Sequence, residues 1–188
     1  PFAVRRLTRP LRKAQWKISA FPNSGTLLFC REKEFFMSVH PILLSDFTDS
    51  RFRAAFQVYF AELGIHVNDW DGVFHEMNEE GNNLAYLLPG DNGEVAGFLQ
   101  FQITEFSNWF FTEPFGFIRE FWIAPAYRKR GYGGELLRLA EAYFAEHGAY
   151  RALLTADTAI EFYLSRGYRK ALGAAAKNKM EVLAKPLY

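Results

Sequence analysis

The apolar run Phe121-Trp122-Ile123 leads, just past Pro125, into Tyr127-Arg128-Lys129-Arg130-Gly131-Tyr132-Gly133-Gly134, and the helical run Leu136-Leu137-Arg138-Leu139-Ala140 follows. A short apolar run bounded by Pro and Gly reads as a strand, so a strand feeds a glycine loop and the loop opens a helix. That order aims the unpaired N–H groups of the first helical turn at one point, where the helix dipole also favours negative charge. Glycine lets a backbone approach an anion closely, and Arg128, Lys129 and Arg130 raise the local potential. The segment reads as a pyrophosphate cradle, and a cofactor with a nucleotide-like phosphate end is the ligand it predicts.

Around this loop, 188 residues suffice for one domain with a sizeable core. Cys30 is the only cysteine, which excludes a disulfide framework and a thiolate metal cluster. His40, His66, His75 and His147 show no ligand spacing, so no metal is expected. No apolar run is long enough to span a membrane. A soluble, cytoplasmic protein is the expectation.

The net charge of +1 conceals a segregation. Residues 1–36 hold eight Lys/Arg and two Glu, residues 37–118 hold two Arg against twelve acids, and residues 119–188 hold twelve Lys/Arg against seven acids. An acidic middle and a basic end suggest two ligands of opposite sign. The basic first segment carries Pro10 and Pro22 and no helical pattern. Patterned sequence begins just after Met37-Ser38-Val39, and Arg31-Glu32-Lys33-Glu34 can be encoded almost wholly by purines, as a ribosome-binding site would be. Residues 1–36 therefore read as translated leader sequence, with a basic arm or Arg-rich transit peptide as the alternative, and residues 37–188 as a single domain.

Along that domain, Ile42–Leu44 reads as a strand, and Asp46 to Asp49 offer caps for a helix through Leu63 with Phe52, Ala55, Phe56, Tyr59 and Phe60 at helical spacing. Asp69 or Asp71 starts a second helix through Glu80. Leu84–Leu88 and Val95–Thr104 form a hairpin around Pro89–Gly93. Ser107 to Phe117 is aromatic and less regular, and residues 118–124 form the strand before the loop. A helix over Gly134–His147, a strand over Ala152–Thr155, a short helix over Thr158–Arg166 and a last strand over Met180–Leu183 complete the series. The order predicts an α/β or α+β fold with a mixed sheet.

At this point the chain resembles the GNAT N-acetyltransferase superfamily. Its acetyl-CoA signature, Arg/Gln-x-x-Gly-x-Gly/Ala after a strand, is matched by Arg128-Lys129-Arg130-Gly131-Tyr132-Gly133. A second motif, Ala-x-x-Phe-Tyr followed by Gly-Phe/Tyr, is matched by Ala159-Ile160-Glu161-Phe162-Tyr163 and Gly167-Tyr168. Two motifs in order are far more specific than one glycine loop. The chain departs from the family at Ala156, where many members carry Asn. The resemblance implies a mostly antiparallel central sheet flanked by helices, and acetyl transfer from acetyl-CoA to an amine by direct attack.

Under that resemblance the backbone from Arg130 to Gly134 holds the pyrophosphate, and Arg128, Lys129 or Arg130 reaches its oxygens. The backbone at Phe121, Trp122 and Ile123 pairs with the pantetheine arm as an added strand would, and Phe162 lies in the second motif. The plain alternative for the three cations is a solvated face. An alkylammonium acceptor costs roughly 4 kcal/mol to deprotonate at pH 7, so a base is required. Glu120 is the candidate base, with pairing to Arg119 as its structural alternative. Tyr163 occupies the general-acid position, with core packing beside Phe162 as its alternative and Ser165 as a weaker acid. The acids Asp69, Asp71, Glu76, Glu79 and Glu80, with Trp70, suggest attraction of a cationic small molecule or peptide amine. Trp109 to Phe117 reads first as core, with a wall of the acceptor site or a homodimer surface as alternatives. A catalytically silent acyl-CoA-binding regulator is the competing reading. A nucleic-acid or membrane partner is not expected.

Overall fold

The computed structural model describes residues 40–188, so the reading of residues 1–36 as a leader lies outside the described residues. Among them, seven strands form one sheet in the order β1-β2-β3-β4-β5-β7-β6: β1 (Ile42–Leu44), β2 (Asn83–Pro89), β3 (Val95–Ser107), β4 (Thr112–Ile123), β5 (Arg151–Ala156), β6 (Arg169–Lys170) and β7 (Glu181–Pro186). Every neighbouring pair is antiparallel except β4 and β5. Four helices accompany it: α1 (Ser50–Glu62), α2 (Trp70–Glu79), α3 (Tyr132–Glu146) and α4 (Ile160–Leu164). The mixed, mostly antiparallel sheet flanked by helices is the fold class expected from the sequence. Among the described residues no helix is long and apolar enough to cross a membrane.

Period-two alternation along β2 divides its side chains between two cores. Ala85 and Leu87 face α1 and α2, in a cluster with Phe52, Phe56, Phe74, Phe98 and Trp122. Leu84, Tyr86 and Leu88 face α3, in a cluster with Leu136, Leu137, Ala140 and Phe144. The Asp49 carboxylate caps α1 by accepting from the N–H groups of Arg51 and Phe52, and the apolar stripe of α1 then locks onto the sheet through Phe52–Phe98 and Phe56–Phe98 ring contacts at 5.1 and 5.5 Å.

Four elements differ from the sequence reading. Residues 112–117 are regular strand, because β4 pairs with β3 over its whole length from Ser107↔Thr112 to Gly97↔Ile123. The irregular piece shrinks to a tight turn, where the Asn108 side chain accepts from the N–H groups of Phe110 and Phe111. That turn holds Trp109 and Phe110 100% and 93% exposed, so they are neither core nor a wall of the cleft described below. Helix α3 starts at Tyr132, two residues early, while α4 is confined to Ile160–Leu164. The last strand is found where the sequence placed it, shifted to Glu181–Pro186, while β6, two residues long, shows no alternation that could have revealed it.

Two irregularities build the cleft. The β3–β4 register shifts between Gln100↔Glu120 and Phe101↔Ile118, leaving Arg119 unpaired in a bulge. A bulge re-aims the side chains beyond it, and Ile118 and Phe121, an odd number of residues apart, consequently share the α3-side core. Strands β4 and β5 are paired only at Gly116↔Ala152 and Phe117↔Leu153. Beyond those pairs they part, and the gap lies beside the glycine loop.

Candidate active site

Two clefts open along this gap. The first, of about 340 Å³, is lined by Phe121, Ile123 and the loop residues Arg128, Lys129, Gly131, Gly133 and Gly134 on one side, and by Phe162, Tyr163 and Arg166 on the other. The second, of about 410 Å³, lies between the end of α1 (Tyr59, Phe60), Glu120 beside the bulge, and the end of β5 with Asp157. Phe121, Ala159 and Tyr163 line both. Tyr163 therefore stands where the two clefts meet.

The loop of the first cleft is shaped for an anion. Gly131 takes φ 89° as the N-cap of α3, a conformation that costs an L side chain about 1–2 kcal/mol. No side chain caps α3, so the N–H groups of its first turn are left for a ligand. A Cβ at Gly134 would come within 3.0 Å of Arg166 Nη2, which closes the far side of the cradle. The residues present thus fit the phosphates of a coenzyme A.

The three cations of the loop separate. Arg128 lines the cleft, with Nη2 on Glu62 Oε2 at 2.7 Å and Nε on the Ile123 carbonyl at 2.8 Å. Lys129 lines it in a left-handed conformation, φ 61°. Arg130 does not line it; its guanidinium lies 5.4 Å from the centre of the Tyr127 ring. Tyr132 begins α3 while its ring packs against the core. Trp122 sends its side chain to the opposite face, into the α1–α2 core, and lines neither cleft. Arg166 is a cation that the motifs did not point to. It sits 3.7 Å over the Phe162 ring and bonds the Phe162 carbonyl at 2.9 Å, and its one sequence signal is a position one helical turn after Phe162.

In the second cleft Glu120 does not pair with Arg119. The Arg119 guanidinium turns instead to Glu80 and to Asn83 Oδ1, the latter at 2.8 Å. Glu120 Oε2 accepts from the Tyr59 hydroxyl at 2.7 Å. Burial pushes the Glu120 carboxyl above the usual range, and the Tyr59 hydrogen bond and the Arg119 charge partly offset this. Burial, with the Glu120 charge adding to it, pushes the Tyr163 phenol up to about 12. A phenol so raised keeps its proton at neutral pH. The Ser165 hydroxyl is used elsewhere, donating to the Phe162 carbonyl at 2.8 Å, and lines neither cleft.

The acids of α2 are not in the cleft. Asp69 caps α2 through the Gly72 N–H, Asp71 pairs with Arg53, and Glu80 holds Arg119. Trp70 stacks on Phe74 at 5.8 Å within the core. The carboxylates lining the cleft are Glu120 and Asp157.

The sequence profile of the Acetyltransferase (GNAT) family matches residues 37–168, more than half of the chain. The chain belongs to the GNAT family. GNAT proteins are acyltransferases that use acyl-CoA, which accounts for a glycine cradle beside a gap between two strands. No curated protein matches the chain in sequence. Solved structures share the fold. The PaiA N-acetyltransferase of Thermoplasma acidophilum, in complex with coenzyme A, is 16% identical, with 80% of this chain and 99% of that chain covered at a TM-score of 0.54. Tetrahymena GCN5 is 12% identical over 79% of this chain and 96% of its own, at 0.56. An aminoglycoside acetyltransferase from an uncultured soil metagenomic sample, in complex with sisomicin, is 14% identical over 68% and 84%, at 0.54.

Proposed function

We propose that this GNAT protein moves an acetyl group from acetyl-CoA to a primary amine on a cationic small molecule or peptide, in a reducing, cytoplasmic setting. The observation that supports this most directly is the meeting of the two clefts at Tyr163, with Glu120 lining the second. Acetyl-CoA, when bound, supplies an acyl group already activated as a thioester. The N–H groups of the first turn of α3, with Lys129 and Arg166, hold its phosphates, and the backbone at Phe121 and Ile123 orients its arm. Glu120 takes the proton of the ammonium group, making the amine nucleophilic. Tyr163 Oη holds a proton at the junction, where a leaving thiolate requires one. Asp157 and Glu120 give the acceptor cleft its negative charge, and Arg119 is neutralised by Glu80.

The test is release of coenzyme A from acetyl-CoA in the presence of polyamines, aminoglycosides, amino acids and peptides with free N-termini. Turnover with at least one of these amines is expected. Tight binding of acetyl-CoA with no turnover on any of them would refute the enzyme reading in favour of a silent acyl-CoA-binding regulator. A separate result is expected from Arg166→Ala. Loss of one charge-assisted contact to phosphate is worth about 1.5–3 kcal/mol, so coenzyme A affinity should fall roughly tenfold or more by titration calorimetry. Unchanged affinity would remove Arg166 from the cradle.

A further inference from the structure

Tyr59 belongs to no motif of the chain, yet its hydroxyl reaches Glu120 across 61 positions of sequence. Its ring is held by aromatic contacts, with Phe60 at 5.5 Å, Phe98 at 5.7 Å and Phe56 at 6.2 Å between ring centres. Three rings fixing one phenol aim its O–H at one carboxylate oxygen. The bond is 2.7 Å, within the short range of a hydroxyl donating to a carboxylate. Among the described residues Glu120 Oε1 has no such donor, so the two oxygens are inequivalent.

The surroundings of Glu120 make that donor matter. From its own strand comes Arg119, whose guanidinium is spent on Glu80 and Asn83. From α4 comes Tyr163, from the end of β5 comes Asp157, and across the ladder on β3 stands the buried amide of Gln100. Asp157 adds negative charge to the cleft, and Tyr163 is neutral. Tyr59 is thus the one group in the described residues that donates a hydrogen bond to this half-enclosed carboxylate.

We infer that Tyr59 is a positioning residue for the base: by donating to Oε2 it keeps Glu120 ionised and turns Oε1 to the acceptor amine as the oxygen that takes the proton. The inference rests on Glu120 as the base in the proposed acetyl transfer. Burial alone would drive Glu120 towards its neutral, unreactive form. The hydrogen bond stabilises the ionised form and widens the pH range over which the base is available. Burial and the Glu120 charge push the Tyr59 phenol up as well, so it remains a donor wherever the enzyme works.

The test is Tyr59→Phe, which keeps the ring and its three aromatic contacts and removes only the hydroxyl. Two readouts are taken. The Glu120 carboxyl is titrated by carbon NMR with labelled glutamate, its signal assigned by its absence in Glu120→Gln. The acidic limb of kcat/KM is measured with an amine that the wild type acetylates. Loss of a donor to an ionised group raises its pKa, so both midpoints should move up by about one pH unit. The rate above the limb should also fall, since Oε1 is no longer fixed. An unmoved Glu120 midpoint in Tyr59→Phe would overturn the inference. A moved NMR midpoint in a protein that acetylates no amine would uphold the Tyr59–Glu120 pairing and overturn the enzyme reading instead.

Discussion

Tyr163→Phe is expected to lower kcat on the order of 10²-fold, the lower end of what a positioned proton donor contributes, while acetyl-CoA affinity stays within about a factor of two. The expected loss corresponds to about 2.7 kcal/mol of barrier. The reasoning is geometric. Tyr163 is almost fully buried and, with Phe121 and Ala159, lines both clefts, and of these three it alone carries a side-chain proton to donate. Its ring packs edge-on against Phe162 at 5.1 Å and Tyr168 at 5.7 Å. Phenylalanine preserves that packing, so fold and cofactor cleft survive and only the proton is lost. Single-turnover kinetics with equilibrium binding of acetyl-CoA separates the two terms. If kcat in Tyr163→Phe equals that of the wild type, Tyr163 is a packing residue and the leaving thiolate is protonated by solvent.

Gly116→Ala should cost about 3 kcal/mol of stability and lower Tm by roughly 10 °C. A Cβ at Gly116 would sit 2.2 Å from two atoms of the Phe144 ring and 2.5 Å from a third. Phe144 is fully buried and held edge-on to Phe101 at 5.4 Å, so its ring has no room to withdraw. The backbone cannot yield either, because Gly116↔Ala152 is one of only two ladder pairs joining β4 to β5. Moving it would open the gap from which both clefts are made, and activity should fall with stability. The double variant Gly116→Ala/Phe144→Leu should recover part of the loss by giving the new methyl group space. Urea denaturation of the two variants decides this, and a single variant as stable as wild type would show that α3 does not press on the sheet at Gly116.

Much of the site was local in sequence and therefore legible. The cradle is a run of neighbours: Gly131 supplies the left-handed residue before α3, and the uncapped first turn follows from it. The apolar spacing of α1 and its Asp49 cap likewise depend on residues a few positions apart. The aromatic run at Trp109–Phe111 was misleading because hydrophobicity alone suggests burial, whereas the full pairing of β3 with β4 carries it to a hairpin tip in solvent. The acids of α2 were misleading for a similar reason. Their density is visible in sequence, but whether a carboxylate caps a helix, pairs with an arginine or faces a cleft depends on what lies opposite.

The sequence by itself determined the strand–glycine loop–helix unit, the second motif that ends in Tyr163, and the presence of Glu120 just before the loop. These follow from backbone preferences and spacings within about twenty residues. Alternation also puts Glu120 on the face opposite Phe121 and Ile123, the face where Trp122 packs; only the tertiary structure decided what it meets there. The bulge at Arg119 shifts the register of β4, so alternation holds from Glu120 to Ile123 and breaks across Arg119 to Ile118. Arg119, next to Glu120 in the chain, turns to Glu80, while Tyr59, far away in sequence, becomes its hydrogen-bond partner. Arg166 closes the cradle only because α4 packs beside the loop. Contacts of this kind are set by where the sheet parts between β4 and β5, a property of the whole fold that no single segment encodes.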